Sequence, residues 1–174
     1  MEADAAEVIL ALDVGAARIG LAQWDARRGV REAGVLRRTR LAEDLARLGR
    51  LARERGVTRL LVGLPRNLDG SEGPQAQRVR DFVVALTEAL GLPVALWDEY
   101  ATSQEATAAL GLGGRPLSAR ERGLVDARAA ALLLERYLGA GAPPKGLSAP
   151  GGEPAPEAST GDDFQADTGQ NMLT

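Results

Sequence analysis

Three acidic positions in this sequence interrupt or end apolar segments, where an unpaired carboxylate is costly to bury. Asp13 follows a run of five apolar residues, and Asp98 and Glu99 come directly after the apolar segment PVALW. Asp126 lies in a segment with helical spacing, and alanines follow it one turn later. Because the apolar segments flanking these acids predict burial, the acids are candidates for chemistry.

The rest of the composition limits what that chemistry is. The chain has no histidine and no cysteine, which excludes imidazole bases, thiol nucleophiles, disulfides and zinc sites of the Cys/His kind. Carboxylates that converge repel one another and stay ionised together only when cations lie among them. A hard divalent cation such as Mg²⁺ or Mn²⁺ is therefore the natural partner for the three acids, if they meet.

Each acid also has an ordinary structural interpretation. Asp13 can accept hydrogen bonds from the backbone amides of the turn that follows it. Asp98 and Glu99 can cap the next helix, and Asp126 can pair with Arg122 one turn earlier. Taken one at a time, these roles explain the acids as well as a metal site does; only their joint placement favours the metal site.

The elements that must position these acids follow from periodicity and end signals. Continuous apolar runs predict buried strands, leucine repeats predict amphipathic helices, and two capping-box sequences open the last two helices. The expected strands are 7–14, 18–25, 30–37, 58–65 and 93–98, and the expected helices are 41–55, 74–90, 102–110 and 118–138. This order predicts a mixed α/β sheet with helices on its faces and with its functional site at the carboxyl ends of strands.

The chain divides into a domain over residues 1–138 and a tail over residues 139–174. The domain carries 20 basic residues, all arginine, against 19 acids, whereas the tail has five acids and one lysine. The tail is rich in Pro, Gly and Ala and has no periodicity, so we expect it to be disordered. The arginines are equally consistent with compositional drift and with phosphate contacts. With no signal peptide or membrane span in the sequence, we expect a cytoplasmic protein.

Four segments together resemble the YqgF/RuvX family: ALDVGAARIGLA, LLVGLPRNLDGSEGPQAQRVRDF, LPVALWDE and VDARAAALLL. This is a family of Holliday-junction-resolvase-like proteins, also described as pre-16S rRNA nucleases, and the resemblance covers roughly residues 8–138. It implies a ribonuclease H-like fold, with a five-stranded mixed sheet whose first three strands are antiparallel. It also implies metal-dependent hydrolysis of phosphodiester bonds in the cytoplasm, in processing the 5′ end of pre-16S rRNA or in cutting branched DNA.

Matched position by position, the resemblance implies that Asp13, Glu99 and Asp126 are the catalytic acids and the metal ligands. They would hold two Mn²⁺ or Mg²⁺ ions roughly 4 Å apart. At Tyr100 the family commonly has arginine, so Tyr100 would stack on a base instead. The residues expected to contact nucleic acid are Arg18, Asn67, Asp69, Tyr100, Thr102 and Arg122.

Other interpretations stay open. A nucleic-acid-binding module of the same fold, without catalysis, is the main alternative. The segment DVGAARIG also resembles the phosphate loop of sugar kinases and actin-like ATPases, but those proteins have two duplicated domains and this chain has length for one. A homodimer would suit a symmetric four-way junction.

Overall fold

The computed structural model describes residues 6–99 and 102–141, with the side chain of Thr102 left out. Tyr100 and the tail from residue 142 onward lie outside the described residues. The strands are β1 (Val8–Val14), β2 (Arg18–Asp25), β3 (Gly29–Arg37), β4 (Arg59–Pro65) and β5 (Val94–Glu99). The helices are α1 (Leu41–Glu54), α2 (Pro74–Leu90), α3 (Thr102–Ala109) and α4 (Ala119–Gly139).

The five strands form one mixed sheet in the order β3-β2-β1-β4-β5. Strand β1 pairs antiparallel with β2, and β2 pairs antiparallel with β3. Strand β4 pairs in parallel with both β1 and β5. The predicted ribonuclease H-like fold, with its first three strands antiparallel and helices on both faces, is confirmed.

Helices cover both faces of the central strand β1, which explains its unbroken apolar sequence. Leu10 and Leu12 face the cluster built with α1 and α2, whereas Ile9 and Ala11 face the cluster built with α4. All four side chains are fully buried. The alternation follows from the two-residue period of a strand. Asp13, the next residue, is therefore the point at which a doubly covered strand reaches the sheet edge.

Helices α2 and α4 are capped differently at their N-termini. Ser118 and Glu121 form the predicted capping box at the start of α4. Helix α2 begins at Pro74 with Gly73 as its N-cap and without a side-chain cap. Ser71, shortly before this helix, bonds within the preceding loop. In the part of the chain that the structure covers, no helix is both long and apolar enough to span a membrane.

The backbone of helix α4 packs directly against the backbone of β2 at Gly20. A Cβ atom added at Gly20 would stand 1.9 Å from the carbonyl oxygen of Asp126. Only a residue without a side chain lets the helix come this near, and the contact fixes Asp126 over the sheet. Gly20 thus determines how closely α4 packs on β2.

We predict that Gly20→Ala destabilises the fold, because the new methyl group has no room unless α4 moves away from β2. The expected loss in the free energy of unfolding is about 1–3 kcal/mol or more, measured by urea denaturation. Gly113→Ala is the matched control, since an added Cβ there meets nothing within 4 Å. Equal stability of the two variants would contradict the close packing.

Candidate active site

Asp13 and Glu99 meet at one edge of the sheet. Both stand at the carboxyl ends of strands, Asp13 near the end of β1 and Glu99 as the last residue of β5. Because β1, β4 and β5 are parallel, these ends share an edge, where sites of open α/β sheets form. A cavity of about 220 Å³ opens there, lined by Asp13, Val14, Gly63, Pro65, Arg66, Gln75, Glu99, Ser103 and Gln104.

The Glu99 carboxylate packs against Gly63, a residue inside β4. A Cβ atom at Gly63 would stand 2.2 Å from Oε2 of Glu99. The glutamate side chain therefore lies over the β4 backbone at Gly63, on the face of the sheet where Leu133 of α4 also packs. Sequence reasoning missed this residue, although a glycine inside a buried strand is a known sign of close approach by another group.

The two carboxyl groups titrate far from their usual range. Burial, and then the negative charge of Asp126, raise the pKa of Asp13 to about 6. Burial, and then the charge of Asp13, raise the pKa of Glu99 to about 8, although Arg136 acts in the opposite direction. Near neutral pH the site therefore carries less negative charge than its acids can supply, because their charges repel.

Asp126 is the third acid, and it reaches the site paired with a cation. Its Oδ2 accepts a hydrogen bond from Nε of Arg18 at 2.5 Å. Arg122, the partner that sequence spacing suggested, instead donates from Nη1 to the carbonyl oxygen of Leu117 at 2.6 Å. The Arg18–Asp126 pair joins β2 to α4 beside Gly20. The charge of Arg18 is thereby partly neutralised, and its predicted contact with nucleic acid stays a prediction.

The oxygen-only donor set suits a hard divalent ion, but the acids do not form a closed triad. Across residues 6–99 and 102–141, no three acidic side chains lie close enough together to hold a metal ion. Asp13 interacts electrostatically with both Asp126 and Glu99. Burial and mutual repulsion both disfavour the charged forms of Asp13 and Glu99, and carboxylate oxygens are the donors that a hard divalent cation takes.

The polar side chains of the loop after β4 form hydrogen bonds within the loop. Nδ2 of Asn67 donates to Oγ of Ser71, whose backbone N–H and hydroxyl donate to Asp69. These bonds hold the pKa of Asp69 below its usual range. Neither Asn67 nor Asp69 lines the cavity with Asp13 and Glu99. Their predicted contact with substrate stays a prediction.

Arg66 anchors the same loop at the cavity. Its guanidinium pairs with Asp98 at 2.9 Å and with Glu72 at 2.8 Å. Asp98 therefore turns away from the acids and serves the loop, while Glu72 is shared with Arg80. Sequence reasoning also missed Arg66, Gln75, Ser103 and Gln104 as cavity residues, because nothing in their spacing marks them. Tyr100 lies outside the described residues, as does the side chain of Thr102.

The chain is similar to known proteins over most of its length. A family model described as "RuvX: Holliday junction resolvase" matches residues 7–140. An Anaeromyxobacter dehalogenans protein named "Putative pre-16S rRNA nuclease" is 50% identical over 137 residues, which are 77% of this chain and 98% of that relative. A Myxococcus xanthus protein of the same name is 42% identical, covering 78% and 89% of the two chains. The solved structure of T. thermophilus RuvC in complex with Holliday junction substrate is 19% identical, with a TM-score of 0.45, over 78% of this chain and 96% of that one.

The raised pKa values predict how metal-free stability depends on pH. A carboxyl group whose pKa is higher in the folded state binds more protons folded than unfolded, so its contribution to stability is lost as pH rises towards the folded pKa. In EDTA, the melting temperature is expected to fall between about pH 5 and pH 8, the window set by Asp13 and Glu99. Glu99→Gln should reduce this fall.

Glu88→Gln on the exposed face of α2 is the matched control and should keep the wild-type pH dependence. Thermal denaturation of the three proteins over pH 4–9 measures the effect. If Glu99→Gln and Glu88→Gln follow the same curve, the Glu99 carboxyl does not experience the electrostatic environment described above.

Proposed function

Because this chain belongs to the YqgF/RuvX family, we propose that it is a metal-dependent nuclease that hydrolyses phosphodiester bonds. One observation carries the proposal: Asp13 and Glu99 line one cavity at the carboxyl edge of the sheet, where burial first, and then neighbouring negative charge, raise the pKa of both. The names of the relatives favour pre-16S rRNA as substrate, and the family description favours branched DNA. The reaction would take place in the cytoplasm.

The acids explain why a cation is part of the proposal. A phosphodiester is an anion, and a cavity lined by Asp13 and Glu99 repels it unless positive charge intervenes. When bound by Asp13, Glu99 and Asp126, one or two Mg²⁺ or Mn²⁺ ions would stabilise charge on the phosphoryl oxygens and activate water. Phosphoryl transfer needs charge stabilisation and positioning more than a protein base, so a site without histidine suits it.

The chain's own groups prepare this site. Gly63 leaves the space that holds the Glu99 carboxylate over β4. Burial and the charge of Asp13 raise the pKa of Glu99 to about 8, so a divalent cation held by this carboxylate would have to displace its proton. Arg18 of β2, paired with Asp126 of α4, would donate to a phosphate oxygen of the substrate.

A second function, a binding module without catalysis, draws on one observation. In the described ranges no three acidic side chains lie close enough to hold a metal ion. Such a module would bind nucleic acid without cutting it. Incubation with fluorescent single-stranded RNA, single-stranded DNA and a four-way junction, each with Mn²⁺, Mg²⁺ or EDTA, separates the two functions. Binding without metal-dependent cleavage would support the module and contradict the nuclease.

We predict that Asp13→Asn abolishes cleavage and leaves the fold intact. The rate should fall by at least about 100-fold, because a ligand and a negative charge are lost from the reacting centre. The melting temperature at pH 8 should stay the same or rise, since one of the repelling charges is removed. Asp81→Asn, an exposed change on α2, is the control and should cleave at the wild-type rate. If Asp13→Asn also cuts at that rate, the site is misassigned.

A further inference from the structure

A second cavity adjoins the acidic one. It has a volume of about 160 Å³ and is lined by Val14, Gly15, Ala16, Arg38, Gln75, Arg78 and Val79. Val14 and Gln75 line both cavities, so the two cavities adjoin, and we refer to them together as the groove. The groove runs from the acids, past the end of β1, to the first turns of α2.

The two halves of the groove differ in their charged side chains. The first half contains the carboxyl groups of Asp13 and Glu99 together with Arg66, which is paired with Asp98 and Glu72. The second contains no acidic residue and two arginines, Arg38 and Arg78. A ligand that fits both halves must therefore carry anionic groups at intervals, one for the cation-dependent acidic half and one for the arginine half.

Arg38 is fully engaged in the fold. Its Nη1 donates to the carbonyl oxygen of Gly15 at 3.0 Å, and its Nε lies 3.4 Å from Oδ2 of the buried Asp44. The guanidinium also stands 5.3 Å from the ring centre of Phe82. These contacts fix the turn after β1 against α1 and α2. Arg38 is a positioning residue, and its charge is largely spent on Asp44.

Arg78 is the available cation of the groove. It is exposed on α2 and, among the residues that the structure describes, makes no hydrogen bond or ion pair. Gln75 lies one turn earlier on the same face of α2 and is exposed as well. A flexible guanidinium and an amide therefore stand side by side, aimed at the space next to the acids.

We propose that Arg78, assisted by Gln75, binds a backbone phosphate adjacent to the one cleaved, so that a single nucleic-acid strand runs along the groove from the acids towards α2. This inference rests on the proposed nuclease function and adds the direction of the strand. Arginine suits the role because its planar fork donates two parallel hydrogen bonds to phosphate. The contact is to the backbone, so it strengthens binding of every sequence alike.

The test compares Arg78→Ala with Arg50→Ala, an exposed arginine on α1 outside both cavities. Binding of a fluorescent single-stranded oligonucleotide is measured by anisotropy in EDTA at several salt concentrations. Arg78→Ala should weaken binding about three- to tenfold and lower the slope of log K against log[salt] by about 0.7, the value for one phosphate contact on a single strand. Arg78→Lys should restore the slope, and Arg50→Ala should match the wild type.

Cleavage with Mn²⁺ supplies a second readout. Arg78→Ala should raise KM severalfold and leave kcat unchanged, as expected for a contact made equally in the ground state and the transition state. If Arg78→Ala and Arg50→Ala agree in affinity, salt slope and KM while the wild type cleaves, the strand path is wrong and the nuclease function stands. If the wild type neither binds nor cleaves, the nuclease function itself is wrong and the strand path falls with it.

Discussion

Repulsion between carboxylates at one edge of the sheet is the constraint on which the rest of this structure depends. Asp13 and Glu99 lie at the carboxyl ends of β1 and β5, which flank β4 in the parallel part of the sheet, and Asp126 is carried by α4. Burial and mutual repulsion raise two pKa values, which is a cost that a merely structural site has no reason to maintain. Arg18 pairs with Asp126, and Arg136 acts against the rise in the pKa of Glu99; in the proposed function, divalent cations supply the remaining positive charge.

Two glycines, which have no side chains, allow α4 and the Glu99 carboxylate to approach the sheet closely. At Gly20 the α4 backbone comes down onto β2, which carries Asp126 to the sheet; at Gly63 the Glu99 carboxylate lies across β4. Helices on both faces hold β1 in place up to Asp13. Glycine at these two positions therefore lets the acidic residues lie close to the sheet. The surrounding apolar clusters supply the stability that opposes the repulsion between the acids.

The fold could be predicted from the sequence because its signals are local. Doubly buried strands give unbroken apolar runs such as residues 8–12, and strong end signals fixed α2 at its observed bounds. Asp13 and Glu99 could be found because each comes at or near the end of an apolar strand. The partner of Asp126 could not, since Arg18 is 108 residues away and Arg122 looks equally suitable by spacing. Nor does spacing show that Asn67 and Asp69 bond within their own loop, which depends on the turn's three-dimensional shape.

The most direct measurement of the central claim is a carboxyl ¹³C NMR titration of the metal-free protein, repeated with Mg²⁺. The account predicts that Glu99 titrates near pH 8 and Asp13 near pH 6 without metal. With Mg²⁺ present, both should lose their protons well below those values, because the cation removes the repulsion. Ordinary titration near pH 4 in both samples, with no response to Mg²⁺, would contradict the account.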